Sequence, residues 1–263
     1  MINTIRFTQC KWEDIRPFVI EYFTSNNAVV DSFWEAHVLE SNHYKITNTD
    51  GEIVGFFAIH KESTITLFHV LPHYASQSQE LFVRSKKYEN VANAMVPTSD
   101  EFFLSHCLDS FTRIEKQAYF ALYTDNGVTQ ERKKTLELRL ADIDADKEIL
   151  KLSGDFLDHS IEQISNNECG VEIYIAQHDG NIVGFGVVDY GRITKDIASI
   201  GMYVCEQYRM QGFAANILEH LKLICFEKSF RVVSGCWYYN HNSKKSMEAA
   251  GAYSKTRLVR FYF

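Results

Sequence analysis

At 263 residues and 30.4 kDa, with 46% hydrophobic and 23% charged residues, the chain can build an ordinary core in one large domain or two smaller ones, which excludes wholesale disorder. A formal net charge of −7 and a pI near 5.8 argue against general nucleic-acid binding, which wants a basic face, and are compatible with a cationic amine substrate. No run approaches the roughly 20 apolar residues that span a bilayer, and the N-terminus MINTIRFTQCKWEDIRPF lacks the apolar block of a secretory signal. Six cysteines without Cys-x-x-Cys spacing suggest neither zinc nor a redox pair, so reduced thiols and a cytoplasmic location are expected.

In chain order, the first half reads as a strand at Ile5–Phe7, helices around Trp12–Phe23 and Val30–Glu40, and a hairpin over Tyr44–His60. A strand (Ile65–Val70), a helix-like segment, a strand near Val91–Val96, a helix (Asp100–Phe111) and a strand (Gln117–Tyr123) follow. Within it, His69 and His73 share a His-x-x-x-His spacing, but Pro72 denies them the helical face a zinc pair needs, and no metal is expected. Residues 124–134, TDNGVTQERKK, combine a turn dipeptide with a charge run and read as a linker. The expected partition is therefore 1–123, the linker 124–134, and 135–263.

The second half repeats the pattern. A strand (Leu136–Leu140) and a helical region (Asp144–Ile164) precede a hairpin (Val171–Tyr190) and a strand (Ile197–Val204). A helix (Phe213–Lys228), a strand (Val232–Tyr238), a short helix (Ser243–Ala250) and a last strand (Leu258–Phe263) complete it. In the Phe213–Lys228 helix, Ile217, Leu218, Leu221, Ile224 and Cys225 form a stripe for packing on a sheet, while Asn216, Glu219, Lys222 and Glu227 take the other, mostly wet side. The halves also share sequence: DGEIVGFF (Asp50–Phe57) recurs 129 residues later as DGNIVGFG (Asp179–Gly186), each an Asp-Gly hairpin signal. Each is followed by a further apolar strand, ending in HVLPHY (His69–Tyr74) and YVCEQY (Tyr203–Tyr208), which points to a duplicated domain.

Val204–His220 (VCEQYRMQGFAANILEH) is the most informative stretch. It runs from a strand through Arg209-Met210-Gln211-Gly212-Phe213-Ala214 into a helix. Gly212 and Ala214 leave the backbone open, and the helix start offers unpaired N–H groups and a positive dipole end, which together suit a pyrophosphate. The Arg-x-x-Gly-x-Ala spacing resembles the acyl-coenzyme A signature of the GNAT superfamily of N-acetyltransferases. Gly235-Cys236-Trp237-Tyr238-Tyr239-Asn240 resembles the superfamily's next strand, with Asn240 and Ser243 at its Asn-x-x-Ser/Ala spacing. The run Cys236–Ser254 is also similar to two-domain acetyltransferases related to zwittermicin A resistance enzymes, which favours a small amine acceptor over a protein tail.

The resemblance implies an α/β (α+β) chain of two tandem GNAT-like domains, each a mixed, mostly antiparallel sheet flanked by helices. It also implies acetyl-CoA as acyl donor, no metal, and a small-molecule amine as acceptor, in a monomer or homodimer with no nucleic-acid or membrane partner. The strand end Met202, Tyr203 and Val204 would pair with the pantetheine arm. The amides of Met210, Gln211, Gly212, Phe213 and Ala214 would hold the pyrophosphate, with Arg209 adding charge or fixing the loop. Asn240 and Ser243 would contact the coenzyme near the pantetheine, and Lys244 and Lys245 are candidates for the ribose phosphate or a solvated face. Aligning Tyr74 with Tyr208 sets Ala75 against Arg209, Ser78 against Gly212 and Glu80 against Ala214, so the N-terminal copy reads as degenerate.

The tyrosine that many members carry seven residues after the Asn, to protonate the departing thiolate, is here Met247, so no general acid carries over. Glu172, Asp189, Asp196 and Glu206 are candidates for a base, and Tyr238, Tyr239 and Tyr253 for an acid, each also readable as surface charge or a packed ring. Three readings remain: a coenzyme A-dependent N-acyltransferase, a non-catalytic acyl-CoA-binding sensor or regulatory protein, and a tandem acyltransferase with another donor.

Overall fold

The structure is a computed structural model that describes residues 5–26, 28–88, 90–124, 135–142, 146–157 and 170–263. The chain divides into two compact units. The first is Met1–Ala28, Trp34–Ala118 and Thr256–Phe263; the second is Val29–Phe33 and Tyr119–Lys255. This differs from the sequence partition in three respects. Tyr119–Tyr123, expected in the first domain, count with the second unit. The last eight residues, expected in the second domain, count with the first, and Val29–Phe33 counts with the second. The linker at 124–134 lies outside the described residues apart from Thr124.

The first unit is built on strands β1 (Arg6–Cys10), β2 (Asn42–Thr47), β3 (Ile53–His60), β4 (Thr64–Val70) and β5 (Asn93–Pro97) in sheet order. Pairing is antiparallel except at β4–β5, which is parallel over Thr64–Ile65 and Asn93–Ala94. Strand β6 (Arg113–Tyr123) and the last strand, β12 (Ala252–Tyr262), contribute residues to both units; Leu258–Tyr262 pairs antiparallel with Asn93–Pro97. Helices α1 (Trp12–Ser25), α2 (Ser32–Leu39), α3 (Ser78–Lys86) and α4 (Glu101–Leu108) flank this half. The core gathers Tyr44, Phe57, Phe68, Phe82, Phe103 and Phe261, all nearly inaccessible.

The second unit carries β7 (Glu137–Leu140), β8 (Val171–His178), β9 (Asn181–Tyr190), β10 (Ile197–Val204) and β11 (Arg231–Trp237). They pair antiparallel in order except β10–β11, which is parallel. Among its described residues the helices are α5 (Lys147–Lys151), α6 (Phe213–Glu227) and α7 (His241–Ala249). The helix expected over Asp144–Ile164 is, in its described part, only α5 and a 3-10 turn (Gly154–Phe156) that begins on left-handed backbone, Gly154 φ +58°. On β10, period-2 alternation sends Ala198, Ile200, Met202 and Val204 to the face covered by Ile217, Leu218 and Leu221 of α6. The other side of α6 is not wet throughout: Asn216 and Lys222 are buried, and Lys222 Nζ donates to Ala250 O (3.1 Å) at the end of α7. That corrects the sequence reading. A lysine with a buried stem satisfies the helix-end carbonyl.

The repeated VGF segment has a steric cause. A Cβ on Gly184 would run into the carbonyl oxygen of Tyr203 and stand 3.0 Å from Val204 Cα; one on Gly55 would meet His69 O and Val70 Cα (3.0 Å) in the same way. The N–H beyond each strand end then returns to the matching position, Cys205 N to Val183 O (2.9 Å) and Leu71 N to Val54 O (2.8 Å). Both copies thus hold the end of the next strand tightly against a glycine.

Candidate functional site

In the second unit, β10 pairs with β9 along Ala198–Val204, but with β11 only at Ile197–Ser199 against Arg231–Val233. Beyond that point the two parallel strands part. Ser234 sits at the fork, its hydroxyl donating to Ile200 O (2.6 Å) and lying 3.1 Å from Tyr123 Oη. A cleft of about 440 Å³ opens between the strands, lined by residues including Phe156, Gly201, Met202, Cys236, Asn240 and Met247. An unpaired strand edge there can accept an extended ligand as an added strand.

Next to that edge lies the loop before α6. Met210 (φ +59°) and Gly212 (φ +88°) adopt left-handed backbone, and nothing stands within 4 Å of where a Cβ on Gly212 would be. Left-handed backbone at two positions so close together suits a loop that presents amides to an anion, and a fifteen-residue helix begins directly after it. Arg209 fixes the loop: its Nε donates to Val204 O (3.2 Å) and its guanidinium stacks near the Tyr203 ring (5.9 Å). Gln211 Nε2 donates to Gln207 O (3.0 Å). Phe213 is buried against Tyr208 and His178, while Ala214 is half-buried at the helix start.

Asn240 and Ser243 also line the cleft, but the Asn240 side chain is partly committed, since its Oδ1 caps α7 by accepting from Ser243 N (3.1 Å). Lys244 is tied to Glu248 and sits over the Tyr119 ring at 5.3 Å. Met247 is 2% exposed and lines the same cleft. Cys236, also lining it, has its thiol pushed up to about 11 by burial, so it is a poor nucleophile.

The acid–base candidates do not converge there. Glu172 accepts from Tyr174 (2.7 Å), Tyr190 (2.8 Å) and Lys228 (3.0 Å), and Lys228 caps the far end of α6 from Gly212. Burial pushes its carboxyl up, but those donors outweigh burial and hold it below the ordinary range. Asp196 is paired with Arg231 (2.5 Å) where β10 and β11 begin, opposite the cleft end, and that hydrogen bond lowers its pKa. Asp189 is buried on β9 opposite Ser199. Glu206 is exposed in the loop after β10. Tyr238 stacks on Tyr119 (4.6 Å), and Tyr239 and Tyr253 are exposed, Tyr239 edge-on to Trp237 (5.1 Å). Ser234, Trp237 and Phe156 line the cleft without having been singled out; Phe156 carried no sequence signal, because its place depends on the turn at Gly154.

The equivalent wedge of the first unit is filled. Asp100 caps α4 by accepting from Phe103 N (3.0 Å), as Asn240 caps α7. The Tyr22 hydroxyl donates to Asp100 Oδ1, and the Tyr22 ring stacks on His69 of β4 (3.8 Å), which meets Phe102 edge-on (5.1 Å). Burial pushes Asp100 up to about 6 and His69 down to about 4, both toward their uncharged forms. The loop that should match Arg209–Gly212 is a 3-10 turn, Pro72–Gln77, running straight into α3 with no positive φ.

A family model described as an acetyltransferase (GNAT) domain matches residues 11–125, and one described as the acetyltransferase (GNAT) family matches residues 139–252. The chain belongs to the GNAT superfamily, as two acetyltransferase domains in tandem. Among solved structures it is similar to a GNAT-family acetyltransferase from Colwellia psychrerythraea (18% identity, TM-score 0.86, 99% of each chain). It is also similar to a GCN5-related N-acetyltransferase from Sphaerobacter thermophilus (14% identity, TM-score 0.62, 98% of this chain and 94% of that one). A tandem GNAT protein from the clavulanic acid biosynthesis pathway shares 12% identity at a TM-score of 0.60, over 98% of each chain. No curated protein matches the chain significantly. Among the described residues, no helix is long and apolar enough to cross a membrane, and no cluster of three or more His, Cys, Asp or Glu is placed to hold a metal.

Proposed function

We propose that the chain is a coenzyme A-dependent N-acyltransferase that moves acetyl from acetyl-CoA to the primary amine of a small molecule by direct attack on the thioester, in the cytoplasm. The observation that carries this reading is the parting of β10 and β11 after Ser199 and Val233, beside the Gly212 loop. The edge Met202–Val204 would pair with the pantetheine arm, and the amides of Met210–Ala214 would take the pyrophosphate. Asn240 and Ser243 border the arm, Asn240 mainly by holding α7 in place. The filled wedge of the first unit supports coenzyme binding in the second unit alone. The buried Met247, which offers no proton, favours the non-catalytic sensor as the second reading.

A free-thiol assay with acetyl-CoA and a panel of small amines tests turnover, read against two variants at Gly212. Any side chain there pays the left-handed backbone cost, about 1–2 kcal/mol. Gly212→Val adds bulk in the open space before α6, where Gly212→Ala adds only a methyl. Gly212→Val should lose more than tenfold in apparent acetyl-CoA affinity while melting close to Gly212→Ala, which should bind better. Wild-type affinity in a folded Gly212→Val would remove the phosphate-loop assignment. Acetyl-CoA binding without amine-dependent thiol would select the sensor.

A further inference from the structure

The ladder between β10 and β11 stops at a definite atom. Arg231 N donates to Asp196 O (2.8 Å) at its start, and in a parallel pair each following bond of this kind falls two residues further along both strands. By that step Val233 N belongs to Ala198 O, and Gly235 N is the donor due to Ile200 O. The pairing ends before that last bond, at Ser199 opposite Val233. Ile200 O accepts instead from the Ser234 hydroxyl (2.6 Å), which lies 3.1 Å from the Tyr123 hydroxyl. Since the Ser234 proton is committed to Ile200 O, Tyr123 is the donor in the second bond. Two hydroxyls in series thus run from β6, past β11, to the main chain of β10.

The surroundings are apolar. Ser234 and Tyr123 are almost fully buried, and Tyr123 belongs to the same core cluster as Ile200, Leu218 and Met247. Burial pushes the Tyr123 phenol far above its ordinary range, so it keeps its proton and stays a donor. A buried hydroxyl pair gains little over hydrogen bonds to water, and continuing the ladder would satisfy Ile200 O without it. The side-chain donor does one thing the ladder cannot: it pairs Ile200 O while leaving Gly235 standing off. Ile200, Ser234 and Gly235 all line the cleft, at the end where the strands part. Two residues on, the same alternation turns the Met202 N–H and C=O toward the opening.

We infer that Tyr123 and Ser234 are positioning residues that hold β10 and β11 apart: the Ser234 hydroxyl takes the place of the Gly235 amide on Ile200 O and so sets how much of the β10 edge stays open to a pantetheine arm. For its ligand this rests on the acyltransferase reading. Neither residue acts on the reacting atoms. Without the Ser234 hydroxyl, Ile200 O becomes a buried acceptor lacking a partner, and its remedy is the ladder donor Gly235 N. That bond lengthens the ladder and shortens the open edge by one residue step, about 3.3 Å. The loss falls at the end of the cleft away from Arg209–Ala214. That loop is held separately, by Arg209 Nε on Val204 O, so the phosphate end is left intact.

Amide hydrogen exchange of the ligand-free, full-length protein reads the fork directly, and calorimetry reads its use. The calorimetric probes are coenzyme A and adenosine 3′,5′-bisphosphate, which carries the nucleotide end without the arm. Ser234→Ala should slow exchange at Gly235 by about tenfold or more as that amide enters the ladder. It should weaken coenzyme A by about tenfold and leave the bisphosphate affinity unchanged. Ser234→Thr keeps the hydroxyl and should stay much closer to wild type than Ser234→Ala in both measurements. Should Ser234→Ala not fold, Tyr123→Phe keeps the ring, removes the outer hydroxyl and should show the same changes in smaller measure. Wild-type exchange at Gly235 in a folded Ser234→Ala, or in Tyr123→Phe where that variant stands in, overturns the inference. So does an equal loss of coenzyme A and bisphosphate, which would mark general damage to the unit. A wild-type protein that binds neither probe removes the acyltransferase reading, while the exchange at Gly235 still decides the wedge.

Discussion

Gly184→Ala should abolish coenzyme binding and destabilise the second unit by about 1–3 kcal/mol or more, since the new methyl overpacks against main chain. Its Cβ would collide with Tyr203 O and press on Val204 Cα, and neither atom can move without bending the end of β10. That end is the edge proposed for the pantetheine arm, and the Cys205 N to Val183 O bond that closes it would open as well. Two positions along, Gly186→Ala supplies the contrast. Its Cβ would meet side chains, Leu221 Cδ1 at 2.6 Å and Ile217 Cγ2 at 3.0 Å, which can shift by rotamer changes. Calorimetry with acetyl-CoA and thermal melts should show Gly184→Ala without binding and Gly186→Ala weakened only modestly. Wild-type binding in Gly184→Ala would contradict the proposed use of the β10 edge.

Deleting Thr256–Phe263 should unfold the first unit, although the sequence places these residues at the end of the second half. They supply the antiparallel partner of β5, from Leu258 opposite Pro97 to Tyr262 opposite Asn93, and both Leu258 and Phe261 are almost fully buried. Phe261→Ala alone should cost about 3–5 kcal/mol, the usual range for a buried phenylalanine truncated to alanine. A fragment of residues 135–263 lacks Tyr119–Tyr123 and Val29–Phe33, which belong to its own compact unit, and should not fold as an independent coenzyme binder. Limited proteolysis and circular dichroism of the deletion variant check this; a cooperative melt at the wild-type temperature would contradict it.

The strands and the loop were legible because their signals are local. Alternation places β10 at Ile197–Val204 to the residue, and the Arg209–Ala214 spacing locates a loop whose Gly212 has the left-handed backbone that only glycine takes cheaply. The repeat was legible because Gly55 and Gly184 answer the same backbone collision. What the sequence hides is tertiary. Nothing near Asp31 or Phe156 announces that they meet Gly235 and Gly201, and the pairing of Leu258–Tyr262 with β5 joins segments about 160 residues apart. Lys222 misled for the same reason: its helix position reads as wet, while its ammonium is spent on Ala250 O. The carboxylates that read as bases, Glu172 and Asp196, are engaged by Lys228 and Arg231, partners the sequence could not pair with them.

The most direct measurement is a calorimetric titration of the full-length protein with acetyl-CoA. One molecule should bind per chain, and Gly212→Val should remove the signal. Tyr22→Phe, which breaks the hydrogen bond to Asp100 in the filled wedge, should leave the single site unchanged. A stoichiometry of two, or binding that survives Gly212→Val in a folded protein, would contradict a single coenzyme site at the parting of β10 and β11.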